Sequence, residues 1–139
     1  MSKLGQQSVL LFLLVFLYGC AANFVVVDRV GMTFSLSKVK LVNGNNIEIL
    51  DGEAIRTVPL ARILKLILDP SKTHYRDNKL YYHAIVEFVD GTTIKPRKTE
   101  GQITKSFVNI HNSLSGKGSS GSVSIPLEDV NVISQALIE

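Results

Sequence analysis

The sequence predicts a mostly β protein, a small barrel or sandwich built from two repeated strand–turn–strand units that follow an N-terminal signal-peptide helix. Short segments with alternating apolar and polar residues, of which Leu80–Val89 is the clearest, are typical of half-buried strands. Asn-Gly and Asp-Gly pairs separate several of these segments and favour tight turns. A strand–turn–strand pattern also occurs twice along the chain.

The N-terminus has the pattern of a secretory signal. Lys3 precedes an apolar run, Val9–Leu17, that contains no polar residue. This run is shorter than the roughly 20 apolar residues needed to cross a membrane. It fits the apolar region of a signal peptide, which is about 7–15 residues long. Small residues follow it at Gly19 and Ala21, as a cleavage site requires.

The apolar run closes on Leu17-Tyr18-Gly19-Cys20, which contains the only cysteine. This segment resembles the lipobox of bacterial lipoproteins, although Tyr18 stands where the pattern usually has a smaller residue. The resemblance implies cleavage between Gly19 and Cys20, loss of residues 1–19, and an N-acyl, S-diacylglycerol cysteine at Cys20. An ordinary signal peptide with a free cysteine, or an uncleaved N-terminal anchor, remains an alternative.

The same resemblance implies a location and a partner. The lipid on Cys20 would hold the protein to a membrane, because two or three acyl chains bind firmly where one binds marginally. No Asp follows Cys20, and in lipoproteins of bacteria with two membranes this favours the outer membrane, on its periplasmic or surface face, over the inner one. We expect an envelope protein as the partner of such an anchored domain.

Residues 20–139 are expected to form a single β-rich domain with repeat halves at about 32–68 and 80–134. Residues 39–47 align with 86–94, and Val58-Pro59-Leu60 aligns with Ile125-Pro126-Leu127. The second copy carries additional residues between its two parts. These units weakly resemble pieces of SH3-like or Sm-like barrels, which implies a fold and no activity.

Several segments receive specific predictions. Phe24–Val27 is a β-branched strand, and residues 43–46 form a hairpin turn. Residues 60–68 are either a helix or a turn followed by a strand. Residues 69–79 are predicted to be a polar loop, and residues 112–122, rich in Gly and Ser, a flexible loop.

Composition argues against several functions. The formal net charge is +3 and the basic residues are scattered, which disfavours nucleic acid as a partner. The three histidines, His74, His83 and His111, lack the close spacing of a zinc site. A nucleophile elbow of the form Gly-x-Ser-x-Gly is also missing. The sequence therefore predicts no catalytic residue, no cofactor and no metal.

The candidate contact residues are Lys95, Arg97 and Lys98, in a charged loop at 95–101. With the anchor, they indicate a non-enzymatic binding or assembly factor of the cell envelope. An envelope hydrolase with an unrecognised site, or a carrier of a small ligand or lipid, remains an alternative.

Overall fold

The structure is a computed structural model that describes residues 23–136. The predicted signal-peptide helix, the Gly19–Cys20 cleavage position and Cys20 itself lie outside these residues. Within the described range there are two 3₁₀-helices, Leu60–Arg62 and Leu127–Asp129, and none of the helices there is long and apolar enough to cross a membrane. The strands are β1 Phe24–Asp28, β2 Thr33–Leu41, β3 Asn46–Asp51, β4 Ala54–Pro59, β5 Ile63–Arg76, β6 Lys79–Phe88, β7 Thr93–Ile94, β8 Arg97–Thr99, β9 Gln102–Thr104, β10 Ser106–Asn109, β11 Ser113–Gly118, β12 Gly121–Pro126 and β13 Val130–Gln135.

Most of these strands belong to one curled antiparallel sheet, a half-barrel, so the predicted mostly β class is confirmed. The strand order is β12-β11-β2-β1-β13-β5-β6-β10-β3-β4, and β7 pairs with β6 beside this path. Strands β8 and β9 form a separate two-stranded hairpin. The two ends of this path are β12 and β4.

The inner face of the curled sheet carries the core. Alternate residues of each strand point inward, because successive side chains in a strand face opposite sides. The fully buried side chains Val26, Leu66, Val86 and Ile133 come from four strands that are neighbours in the sheet. Each such side chain stabilises the fold by roughly 1.5–3 kcal/mol relative to an exposed one.

The strands in the two halves of the sheet, followed inward from β4 and from β12, are connected along the chain in a similar way. The chain runs β3–β4–3₁₀-helix–β5–β6–β10 on one side of the sheet's centre and β11–β12–3₁₀-helix–β13 on the other, where β1 and β2 complete the set. We call the first group the contiguous unit and the second the split unit. The split unit is made from the two ends of the described chain, whose β1 and β13 pair directly.

The pairing of β5 with β13 lies at the centre of this arrangement. Leu66 pairs with Ile133, and the same spacing along the chain relates Leu60 to Leu127 and Ile47 to Leu114. Leu66 and Ile133, which face each other across the strands, therefore occupy corresponding positions in the two units. This register places a pseudo-twofold axis between β5 and β13.

The predicted repeat halves at 32–68 and 80–134 are not confirmed. Residues 43–46 do not form a hairpin, because β2 pairs with β1 and β11 whereas β3 pairs with β4 and β10. The aligned Asp90-Gly91 segment does join two paired strands, β6 and β7. Strands β2 and β6 are therefore not equivalent, and the local similarity of residues 39–47 and 86–94 does not reflect a shared unit.

Two predicted loops are wrong. Residues 69–79 continue β5 across a bulge between Asp69 and Thr73, and end in a tight turn at Asp77 and Asn78, which have φ of 53° and 61°. Their polarity reflects the exposure of a strand that extends beyond the core. Residues 112–122 fall mostly in the β11–β12 hairpin, where a Cβ at Gly116 would lie only 3.1 Å from the Cβ of Leu36, a tight contact.

The alternatives for residues 60–68 are resolved in favour of a turn followed by a strand. Leu60–Arg62 is a 3₁₀-helix, and β5 begins at Ile63. The residue before this helix, Pro59, has φ −59° and ψ 141°, and Pro126 before the second 3₁₀-helix has φ −60° and ψ 141°. Because proline fixes φ near this value, the backbone enters both 3₁₀-helices in the same conformation.

We expect Leu127→Ala to destabilise the protein by about 2–5 kcal/mol, because Leu127 is fully buried and its truncation leaves a cavity in the core. Chemical denaturation measures the free energy of unfolding. The matched control is Glu128→Ala, an exposed position in the same 3₁₀-helix. Equal stability of the two variants would show that Leu127 does not anchor this turn to the core.

Candidate functional site

The candidate site lies on the outer face of the contiguous unit. Ala84 and Val86 of β6 are buried on the inner face, so His83 and Ile85, which alternate with them, point outward. On β10 the pattern is the same, with Ser106 and Val108 buried inward. Phe107, on β10, pairs with His83 across the strands, and their rings meet edge to face with centroids 5.8 Å apart.

An insertion covers this outer face. The chain turns directly from β1 to β2, whereas residues 89–105, which include β7, β8 and β9, separate the equivalent β6 and β10. Leu50 is 0% exposed although its neighbour Ile49 belongs to the core on the opposite face. The insertion is fixed beside it, since the Gly52 amide donates to the Lys105 carbonyl at 2.8 Å and Arg97 approaches Asp51 at 3.6 Å.

Between the insertion and the sheet is an open groove with a volume of about 580 Å³. Small-ligand sites typically enclose about 300–1,000 Å³, so the groove is large enough for one. Its surface is more apolar than polar, because hydrophobic side chains from both the sheet and the insertion face it. The lining residues are Lys72, His83, Ile85, Lys95, Pro96 and Ile103, together with Thr104, Lys105, Ser106 and Phe107.

The rim of the groove carries an excess of positive charge. Lys105 is neutralised by Glu53, whose carboxylate lies 3.0 Å from the ammonium group, and this contact lowers the pKa of Glu53. Asp69 accepts hydrogen bonds from the hydroxyl and amide of Ser71, which lower its pKa. Within residues 23–136, neither Lys72 nor Lys95 makes a salt bridge.

Beside the groove, the same outer face holds a polar cluster centred on Glu48. Its carboxylate accepts hydrogen bonds from the Tyr81 hydroxyl at 2.6 Å and the Asn109 amide at 3.2 Å, and Lys79 lies 3.5 Å away. Burial alone would raise the pKa of Glu48, but these partners outweigh it and the pKa is lowered. Burial and the bond to Glu48 raise the pKa of Tyr81 to about 12.

At neutral pH, Glu48 is therefore ionised, Tyr81 is protonated, and the two side chains are hydrogen-bonded to each other. Ser106 is similarly engaged, because its buried hydroxyl donates to the Ala84 carbonyl at 2.6 Å. Together these hydrogen bonds connect β3, β6 and β10.

The structure separates the three predicted contact residues. Lys95 lines the groove. Arg97 lies on β8 and approaches Asp51, and Lys98 is an exposed β8 residue outside the groove lining. The predicted charged loop at 95–101 is thus largely the β8 strand and its turn.

Two of the histidines lie close to Phe107. His74 is 5.5 Å from it between ring centroids, and His83 has the edge contact described above. His111 instead accepts a hydrogen bond from the Leu80 amide at 3.1 Å. No group of His, Cys, Asp or Glu side chains within the described range is arranged to hold a metal ion.

Sequence reasoning missed most of the groove. Lys72 falls within the predicted polar loop at 69–79, and no role is predicted for Ile103 or Phe107. The one available signal was the charged loop at 95–101, because it lies within the insertion that forms one wall of the groove.

Comparisons of the chain with protein-family models, with curated proteins and with solved structures find no match. The site therefore has to be interpreted from its own geometry and charge.

We expect Tyr81→Phe to lower the free energy of unfolding by about 1.5–3 kcal/mol at neutral pH, because a hydrogen bond to a charged group is lost. The pKa of Glu48 should rise. Since its folded pKa lies below the ordinary value of 4.5, ionised Glu48 stabilises the fold above that value, and this stabilisation is lost as the pH falls through the folded pKa.

The difference between wild type and Tyr81→Phe should therefore shrink in acid. Denaturation at neutral and acidic pH measures it, with Tyr75→Phe, at a tyrosine that is 71% exposed, as the control. A difference that is the same at both pH values would mean that Tyr81 does not act through the Glu48 carboxylate.

Proposed function

We propose that the protein is a lipid-anchored binding protein of the cell envelope, held to its membrane by acyl chains on Cys20. The observation that carries this proposal is the short distance between the lipobox-like segment and the folded domain. Cys20 precedes Phe24, the first residue of β1, by a stretch that spans at most about 14 Å when fully extended. A lipid at Cys20 would therefore keep the domain close to the membrane surface.

The position of β1 supports a tether at this point. Phe24 is 1% exposed and pairs with Leu36 on one side and Gln135 on the other. The chain thus enters the interior of the sheet directly, without a polar linker. An anchor this close raises the local concentration of the domain near membrane partners.

A binding role agrees with the outer face of the contiguous unit. The Glu48–Tyr81 pair keeps its proton on Tyr81 at neutral pH, where its raised pKa and the lowered pKa of Glu48 suit a structural contact. General acid–base catalysis favours groups whose pKa lies near the working pH. The open groove and its rim lysines instead suit recognition.

The residue after the anchor supports a location in the outer membrane. Ala21 follows Cys20, and an Asp at that position would favour the inner membrane in bacteria with two membranes. We propose the outer membrane, with a further envelope protein as a partner of the anchored domain.

Mass spectrometry of the protein purified from cell membranes tests the anchor. We expect a mature chain that begins at Cys20 and carries two or three acyl chains, and Cys20→Ser should abolish both the lipid and the cleavage. Ala21→Ser, which keeps the cysteine, is the control. A chain that carries no lipid, whether intact or cut at another residue, would contradict the proposal.

A second measurement addresses the partner. Crosslinking in cells, followed by membrane extraction, should connect the wild-type protein to a defined envelope protein. Cys20→Ser should reduce that product strongly, because the local concentration near the membrane is lost. An unchanged crosslink would show that binding does not depend on the anchor.

A further inference from the structure

We propose that the groove between the insertion and the outer face of the sheet binds an anionic amphiphile, a molecule with an apolar chain and a carboxylate or phosphate head. This inference does not depend on lipid at Cys20, because it rests only on residues of the folded domain. It assigns a class of ligand to the groove, whereas the proposed anchor concerns only where the protein is held.

The floor of the groove suits the apolar part of such a ligand. Ile85 and Phe107 rise from the sheet, while Pro96 and Ile103 face them from the insertion. Ile103 is 71% exposed, which is unfavourable for a large aliphatic side chain in water. An apolar chain lying against Ile103 and Phe107 would remove both from solvent.

The rim suits the anionic part. Lys72 extends from the β5 bulge on one side and Lys95 from the insertion on the other, and each is exposed. Lys105 pairs with Glu53, whereas Asp69, whose carboxylate accepts from Ser71, keeps its negative charge and partly offsets that of Lys72. The three rim lysines outnumber these two carboxylates, and Lys95 makes no salt bridge within residues 23–136, so the rim keeps a net positive charge that attracts an anion.

The pseudo-twofold arrangement of the sheet gives an independent reason to assign a function here. The split unit turns directly from β1 to β2, so it has no segment equivalent to residues 89–105. The insertion also contributes little to the core, since Ile94 is the one residue of β7, β8 and β9 that belongs to it. What the insertion adds is the wall of the groove and one of its free lysines.

Such a ligand has two chemical sources. It can be a free fatty acid, or an acidic phospholipid that presents its head and part of a chain from a membrane. Both have the shared chemistry of an anion on an apolar chain, and the experiment below distinguishes them.

The test uses the purified full-length protein in nanodiscs of zwitterionic phosphatidylcholine. One arm adds a medium-chain fatty acid with a photoreactive diazirine at the chain end, and the other includes phosphatidylglycerol with a diazirine in its acyl chain. After irradiation, mass spectrometry locates the label. We expect labelled peptides that contain Ile85, Ile103 or Phe107, and the arm that gives them identifies the source.

Variants and analogues test the two parts of the site. Lys72→Ala with Lys95→Ala should lower labelling about tenfold, a fold-change that two weak ion pairs can account for. Ile103→Ser should lower it by a similar factor, because an apolar contact is lost. All three positions are exposed, so the fold should be retained. The matched control is Lys40→Ala with Lys117→Ala, two exposed lysines of the split unit.

Label confined to other peptides in both arms would overturn the proposal. Equal labelling by a cationic amine of the same chain length would overturn the role of the rim lysines. Unchanged labelling in the Lys72/Lys95 variant and in Ile103→Ser would overturn the site itself. None of these outcomes affects the lipid anchor, which the mass of the N-terminal peptide establishes separately.

Discussion

The pairing of β5 with β13 is the contact on which the rest of the sheet depends. It joins the contiguous unit to the split unit, and its central side chains, Leu66 and Ile133, are both 0% exposed. On one side β13 continues to β1, and on the other β5 continues to β6. Without this pairing, the two groups of strands would each expose an apolar inner face to water, a surface that monomeric proteins rarely leave open.

The same constraint explains where a site can form. The inner face is occupied by the core, and each unit needs it for stability. The outer face does not carry the core, and the contiguous unit forms two features on it. The Glu48–Tyr81–Asn109 cluster fastens three strands together, and the insertion builds a groove beside it. Binding residues commonly lie on such added segments, which a rigid sheet positions.

Much of the fold follows from period-2 patterning, since the alternation in Leu80–Val89 predicted β6, in which every second residue from Ala84 to Phe88 is buried. The β-branched run Phe24–Val27 also predicted a strand, β1, but two strand segments with neither pattern were not recognised. The exposed part of β5 and the Gly/Ser-rich β11–β12 hairpin are polar because they lie at the surface or pack closely, so composition favoured loops there. Strand pairing was the hardest feature, because β2 and β3 are adjacent in sequence but pair with different partners.

The candidate site was likewise predictable from the sequence only in part. Lys95 was identified, since a charged loop is visible locally in the sequence. Its partners Lys72 and Phe107 were not, because they meet Lys95 only through the folding of the insertion onto the sheet. The positions of counterparts such as Leu60 and Leu127 were partly visible, since the Pro-Leu turns repeat in sequence. The assembly of the split unit from the two ends of the described chain was not, because no local pattern encodes it.

The position of β1 has a mechanical consequence. It is hydrogen-bonded on both sides, to β13 and β2, and its first residue is the one that a tether at Cys20 would pull. Hydrogen bonds in an antiparallel sheet run perpendicular to the strands, so tension along β1 acts on both ladders in shear. The bonds then resist together, whereas a strand at the edge could be peeled away one bond at a time. A domain attached in this way can bear force transmitted from the membrane without first losing its terminal strand.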